Sequence, residues 1–342
     1  MMMKWLVLLF AVSTGAFAAE RTVVVYNWAE YLPDEVIRQF TKETGIRVRY
    51  STFDNNESMY AKVKSLNAGG YDIVVPSAYY VYRMRKENLL APLDRSRLSN
   101  FDKLDPRLLD QAHDPGNVYS VPYLWGSSGI AVDGKRVDPA TVKRWADLWR
   151  PEFKGKLLLL DDMRDVFGIA LKTLGYSANT RNPAEIQAAF EKLRELLPNV
   201  KMFNADSPKS AYLAGEVAAG QIWNGEAFMA ALEKPSLSYV YPQEGALLWM
   251  DNLVIPRNAR NVAEAHAFID FLLRPEIARR ISAEIGYSSP NKAAVDAMPP
   301  KLRNNRTVNP TAEDLAGAEF QTDVGDAQAL YEQYWSRLKA GR

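Results

Sequence analysis

The sequence predicts an α/β protein with two globular units, and three observations lead to this prediction. The chain has 342 residues, enough for about two domains that each bury a core. Hydrophobic residues make up 47% and charged residues 24% of the chain, which are ordinary values for a globular protein. Strand-like and helix-like segments alternate in the first part of the chain and again in the second, a pattern typical of parallel sheets covered by helices.

The first unit has the order β–α–β–α–β, which predicts a parallel sheet with right-handed crossovers. The first helix starts after Pro33, and Gly45 supplies its stop. β-branched runs and alternating hydrophobicity mark the strands. The other elements are predicted at Thr22–Trp28 (strand), Ile46–Phe53 (strand), Glu57–Leu66 (helix) and Tyr71–Pro76 (strand).

The second unit repeats the alternation after Gly126 and continues to the end of the chain. On one of its helices, His266 falls on the polar side and is predicted to face solvent. The predicted elements are Gly155–Leu160 (strand), Arg164–Leu174 and Pro183–Leu197 (helices), Gly220–Asn224 (strand), Glu226–Glu233 (helix), Tyr239–Tyr241 and Leu247–Ile255 (strands) and Ala327–Lys339 (helix).

The composition excludes several classes of function. Lys and Arg number 42 and Asp and Glu 41, so nucleic acid is not expected as a partner, because phosphate binding needs an excess of basic residues. The chain has no cysteine and two histidines, which argues against disulfides, thiol catalysis and His- or Cys-based metal sites. We therefore predict no cofactor and no metal, and we find no catalytic motif that would indicate an enzyme.

Residues 1–18 have the three parts of a secretory signal peptide. Lys4 gives a charged start, Trp5–Val12 a short apolar core, and Ala16-Phe17-Ala18 a small-residue cleavage site. The apolar run is shorter than the roughly 20 residues of a membrane-spanning helix. We expect export to the periplasm and no stable membrane insertion of the mature chain.

Aromatic and acidic side chains follow the predicted strands. The carboxyl ends of parallel strands meet at one edge of a sheet, where ligands bind. Arg164 is the main cation among them. The residues at this edge are Trp28, Glu30, Tyr31, Ser77, Tyr79, Tyr80, Asp161, Asp162, Asp165, Trp223, Trp249 and Asp251.

This mixture suits a linear polyamine. Carboxylates neutralise the protonated amines through charge-assisted hydrogen bonds, and aromatic rings pack on the methylenes and attract the cations. Each residue also has a simpler interpretation: Trp28 and Trp223 could pack the core, one of Asp161 and Asp162 could cap a helix, and Glu30 could be a solvated loop acid. A secreted glycoside hydrolase with paired acids and tryptophans is the enzyme alternative.

Long, ordered stretches of the chain resemble the periplasmic polyamine-binding proteins of ABC transporters. They include NWAEYLP, YDIVVPSAYYV, DDMRDVF, IWNGEAF, WMDNLVIP and QTDVG. The resemblance implies a two-lobe periplasmic binding protein fold, each lobe a mostly parallel sheet flanked by helices, with the ligand cleft between the lobes. The lobes it implies are residues 19–126 with 247–304, and 127–246 with 305–342.

The resemblance also implies the site and the transport function. The aromatic walls would be Trp28, Tyr31, Tyr79, Trp223, Trp249 and Tyr287; the amine-binding carboxylates Glu30, Asp162, Asp165 and Asp251; and the supporting polar groups Ser77 and Gln321. Ala29 stands where the family usually has threonine and Asp165 where it usually has glutamate, which leaves the choice between spermidine and putrescine open. The implied partner is an inner-membrane ABC permease, and a polyamine sensor that signals through a membrane partner is the other alternative.

Overall fold

The computed structural model describes residues 20–341, so the predicted leader lies outside the described residues. Strands and helices alternate through most of this range, as the sequence predicts. Within it, no helix combines the length and the apolar character needed to cross a bilayer.

The strands and helices lie close to the predicted segments. The first part contains β1 (Thr22–Trp28), α1 (Asp34–Thr44), β2 (Arg47–Phe53), α2 (Asn56–Ser65), β3 (Ile73–Val74) and α3 (Ala78–Lys86). The middle contains β4 (Ser120–Asp133), β5 (Leu157–Leu159), α4 (Met163–Thr173), α5 (Pro183–Leu196), β6 (Val200–Phe203), α6 (Pro208–Leu213), β7 (Ala219–Trp223), α7 (Asn224–Glu233) and β8 (Leu237–Val240). The last part contains β9 (Leu247–Val254), α8 (Val262–Leu272), α9 (Pro275–Ile285), α10 (Lys292–Asp296), α11 (Pro300–Arg303), β10 (Glu319–Phe320) and α12 (Gln328–Ala340).

The strands form one sheet in the order β2-β1-β3-β9-β4-β7-β5-β6, with β10 beside β9 and β8 beside β4. The parallel pairing predicted for each unit is confirmed, since β1 pairs parallel with β2 and β3, and β5 with β6 and β7. The sheet is nevertheless mixed, because β4 and β9 run antiparallel to each other and β4 also runs antiparallel to β7.

The long strands β4 and β9 connect the two halves of the sheet. Their register runs from Ser120 opposite Val254 to Ser128 opposite Leu247. One end of the pair adjoins β3, and the other end of β4 continues between β7 and β8. This pair therefore carries two of the backbone connections between the halves.

The hydrophobic cores divide along the chain in the same way. One cluster joins β1, α1 and α8, and a second lies beneath α2 and α3. The other two clusters join β5, α4, α5 and α12, and β7 with α6 and α7. Because the cores divide in this way, we propose that the two lobes are residues 19–126 with 247–304 and residues 127–246 with 305–342.

One local prediction is wrong, because His266 is buried, with only 2% of its surface exposed. Its Nδ1 donates to the Val262 carbonyl, 2.7 Å away, and its Nε2 accepts a hydrogen bond from the Asp94 backbone N–H at 2.9 Å. The segment at Asp94 thus covers a helix face that looked polar in sequence, and both ring nitrogens are satisfied there.

Candidate functional site

A cleft lies where the carboxyl ends of the parallel strands from both halves meet. β1, β3, β5 and β7 each deliver side chains to it at or just after their last residue, as the rule for parallel sheets predicts. Ten of the twelve site residues that the family resemblance implies line it: Trp28, Tyr31, Ser77, Asp162, Asp165, Trp223, Trp249, Asp251, Tyr287 and Gln321.

Asp251 lies in the middle of β9 and faces the cleft from the first half of the molecule. One carboxylate oxygen accepts a hydrogen bond from the Tyr31 hydroxyl at 2.8 Å, and the other accepts one from the Ser77 hydroxyl at 2.7 Å. Burial raises the pKa of Asp251 to about 7, although these two hydrogen bonds favour the ionised form. The carboxyl group is thus held in a fixed orientation, and no lysine or arginine among the described residues forms an ion pair with it.

Asp165 faces the cleft from the second half, in the first turn of α4. Its carboxylate accepts hydrogen bonds from the Ser128 hydroxyl at 2.7 Å, the Trp223 indole N–H at 2.9 Å and the Gln321 amide at 3.1 Å. Burial, and next the nearby charge of Asp162, raise the pKa of Asp165 to about 7. Three donors therefore orient a second buried carboxylate.

Asp162 is the residue that caps α4, so the simpler interpretation of this residue is confirmed. Its side chain accepts a hydrogen bond from the Asp165 backbone N–H at 3.0 Å. The same side chain lines the cleft and is 5% exposed. Burial raises the pKa of Asp162, and its charge contributes to the raised pKa of Asp251. Capping and a place in the cleft are therefore compatible.

Arg164 does not line the cleft, contrary to its expected place among the acids. Its guanidinium donates to the backbone carbonyls of Thr322 and Ala178 and to the side chain of Asn179. The three buried aspartates of the cleft, Asp162, Asp165 and Asp251, form no ion pair with a lysine or arginine among the described residues. The charge of Arg164 lowers the pKa of Asp162 and Asp165 against the larger effect of burial, and a hydrogen bond from the Arg164 backbone lowers the pKa of Asp162 further.

Aromatic rings form the remaining surface of the cleft. Trp28 and Trp223 come from opposite halves, and their ring centroids lie 6.3 Å apart at an interplanar angle of 71°. Tyr31, Trp249 and Tyr287 form a second group, in which Tyr287 lies 5.2 Å from each of the other two rings. The cleft thus presents flat apolar surfaces next to the buried carboxylates.

Two predicted residues lie outside the lining of the cleft. Glu30 is at the rim, where its side chain is 45% exposed and accepts a hydrogen bond from the Lys209 ammonium group. Tyr79 is buried behind the cleft, and its hydroxyl accepts a hydrogen bond from the Asn56 amide at 3.0 Å. Tyr79 therefore positions a residue that lines the cleft and does not line it itself.

Sequence reasoning missed Asn56 and Glu226, which both line the cleft. Asn56 accepts from the Ser77 backbone N–H at 3.1 Å and donates to the Ser77 hydroxyl at 3.0 Å. Glu226, 4% exposed, follows Trp223 by three residues in the first turn of α7. An acid one turn after a strand-end tryptophan was the signal for Glu226, whereas Asn56 carried no comparable signal.

The chain belongs to the family of bacterial extracellular solute-binding proteins, whose family model matches residues 35–310. It is 49% identical over 348 residues to the spermidine/putrescine-binding periplasmic protein of Escherichia coli (strain K12), with 100% of both chains covered. It is 44% identical over 326 residues to spermidine/putrescine-binding periplasmic protein 1 of Haemophilus influenzae, covering 95% of this chain and 91% of that protein.

A solved structure of a similar protein supports the assignment of the fold. The spermidine/putrescine ABC transporter substrate-binding protein PotD from Streptococcus pneumoniae is 38% identical and superposes with a TM-score of 0.78. The match covers 94% of this chain and 99% of that one. The α/β architecture predicted from sequence is confirmed by this match.

Proposed function

We propose that this protein is an exported receptor that binds a linear polyamine, spermidine or putrescine, in the cleft and delivers it to an ABC permease. The observation that carries the proposal is the set of three buried aspartates, Asp162, Asp165 and Asp251, which have no ion-pair partner among the described residues. Several buried acids in one cavity repel one another and lose hydration, and a ligand with several ammonium groups removes both penalties.

The aromatic rings support an elongated ligand with methylene segments. Tryptophan and tyrosine faces attract ammonium groups, each contact contributing on the order of 0.5–2 kcal/mol, and they also cover the CH₂ groups between the charges. Hydrogen bonds to charged groups contribute roughly 1.5–3 kcal/mol each. A glycoside hydrolase acts on a neutral sugar with a pair of acids, whereas this cleft buries three aspartates that have no ion-pair partner among the described residues, so it supports a cationic ligand over that alternative.

The names of the relatives support a ligand-binding role in transport and not a catalytic role. Their names describe periplasmic spermidine/putrescine-binding proteins and the substrate-binding protein of an ABC transporter. In this proposal the ligand contacts both halves of the cleft and so favours the closed arrangement that the permease recognises. We propose export through residues 1–18, and mass spectrometry of the secreted protein is expected to show Ala19 as the first residue.

Calorimetric titration tests the proposed ligand. We expect putrescine or spermidine to bind the purified protein with micromolar or tighter affinity, which corresponds to about 8 kcal/mol or more. Maltose serves as an uncharged carbohydrate control. Binding of maltose together with no response to either amine would contradict the proposal, and so would the release of product from glycans.

A further inference from the structure

We propose that the Lys209 ammonium group takes the place of one ligand amine at the end of the cleft, so that the site prefers a diamine over a triamine. This inference rests on the polyamine function proposed above. Lys209 is a specificity-determining residue in this view, because it neutralises acids that would otherwise pair with the third ammonium group of a longer ligand.

Lys209 reaches from one half of the molecule to the other. It is the second residue of α6, in the second half, and its Nζ donates to the carboxylate of Glu30, which follows β1 in the first half. The Lys209 side chain is 14% exposed, compared with 45% for Glu30. The ammonium group is thus largely covered at the mouth of the cleft, at the end where Glu30 was predicted to bind an amine.

Glu226 is the second acid that Lys209 neutralises. The Lys209 Nζ lies 3.8 Å from one oxygen of the Glu226 carboxylate, and the Lys209 backbone N–H donates to the other oxygen at 3.1 Å. Glu226 lines the cleft and is buried. Burial raises its pKa, and the charge of Lys209 acts in the opposite direction. Glu226 therefore already has a cation, unlike the three aspartates.

The buried acids of the cleft thus fall into two anionic positions that are open to a ligand and one that is filled, and the remaining lining acid, Asp206, is exposed to solvent. Asp162 and Asp165 occupy the cap and first turn of α4 and form one open position, and Asp251 on β9 forms the other. A diamine brings two ammonium groups and matches both. The third ammonium group of a triamine would have to share Glu30 and Glu226 with the Lys209 ammonium group, so it gains less from these acids than it would without Lys209.

The test compares putrescine and spermidine on the intact protein and on Lys209→Met, which keeps the length of the side chain and removes its charge. We expect the unchanged protein to bind putrescine more tightly than spermidine. In Lys209→Met, we expect the ratio of the spermidine Kd to the putrescine Kd to fall by about tenfold or more, because Glu226 and Glu30 become free to pair with the third ammonium group.

Three further variants separate the charge of Lys209 from unrelated effects. Lys209→Arg keeps the charge, and Lys301→Met removes an exposed charge on α11, away from the cleft lining; both are expected to keep the original ratio. Lys209→Met combined with Glu226→Gln is expected to lose most of the gain in spermidine affinity, because the new position then lacks its buried acid.

Two results would overturn the inference alone: tighter binding of spermidine than of putrescine by the unchanged protein, or a ratio in Lys209→Met within about twofold of the original. The first of these needs no variant, so the inference stays testable if Lys209→Met does not fold. Failure of the unchanged protein to bind either amine would instead refute the proposed function, and with it the inference.

Discussion

The floor of the cleft, at Asp165 and Asp251, differs from its rim, at Glu30, in how the acidic side chains are paired. On the floor, Asp165 and Asp251 are held by neutral hydrogen-bond donors and have no ion-pair partner among the described residues. At the rim, Glu30 contacts the ammonium group of Lys209, which also lies beside the buried carboxylate of Glu226. Donors without charge orient a carboxylate but leave its charge uncompensated, so the floor is suited to an external cation, whereas the rim already contains one.

Removal of a floor charge is expected to produce the largest effect. Asp251→Asn keeps the shape of the side chain and removes its charge, and we expect it to weaken polyamine binding by about 2 kcal/mol or more, roughly 30-fold in Kd. Isothermal titration calorimetry measures the change. Unchanged affinity would show that the amines bind elsewhere, and circular dichroism of the variant checks that its fold is retained.

Loss of an aromatic ring is expected to produce the second-largest effect on polyamine affinity. Trp223→Ala removes a ring from the cleft and the indole N–H that donates to Asp165, and we expect about tenfold or greater weakening of polyamine binding. Trp223→Phe is the matched variant, since it keeps a ring and loses only the donor. If the two variants bind equally weakly, the hydrogen bond to Asp165 matters and the ring face does not.

The pH dependence of polyamine binding tests the role of the two floor aspartates. The folded-state pKa of Asp165 and of Asp251 is raised to about 7, so both carry protons more often at pH 6 than at pH 8. An ammonium group binds the ionised form, so we expect affinity to rise about tenfold or more between pH 6 and 8, with release of protons on binding. Calorimetry in buffers of different ionisation enthalpy measures both quantities.

The same raised pKa values also determine how the stability of the unliganded protein changes with pH. A carboxyl group with a higher pKa in the folded than in the unfolded state binds more protons when folded, so its contribution to stability falls as pH rises from about 4 to 7. Asp251→Asn removes one such group and is expected to flatten both the binding and the stability profiles. A variant with the original pH profile of binding would show that Asp251 does not titrate on binding.

The rim acid is expected to matter least. Glu30→Gln breaks a partly exposed ion pair with Lys209, and such pairs contribute about 0–1 kcal/mol, so we expect a change in the free energy of unfolding within that range. We also expect putrescine affinity to change by less than about threefold, as measured by titration. A loss as large as that of Asp251→Asn would remove the distinction between floor and rim.

Much of the site could be predicted from sequence because strand ends carry local signals. A β-branched run marks β1, a leucine run marks β5 and a short segment that ends in tryptophan marks β7, and the residues at the ends of these strands lie at the same sheet edge in any parallel α/β arrangement. That is why Trp28, Asp162 and Trp223 were found. Arg164 was misplaced because its side chain can leave α4 in more than one direction, and only the carbonyls of Thr322 and Ala178 decide which.

The sequence by itself determined the order of strands and helices, the parallel pairing within each half and the kinds of side chain at the sheet edge. Those properties depend on hydrophobic periodicity and on residues that start or stop helices, which act over a few neighbours. The tertiary structure alone decided that Lys209 meets Glu30, 179 residues away, and that β4 and β9 join the halves in antiparallel order. Such contacts depend on how whole elements pack against each other. A local sequence pattern extends over a few residues and cannot specify a contact between residues this far apart in the chain.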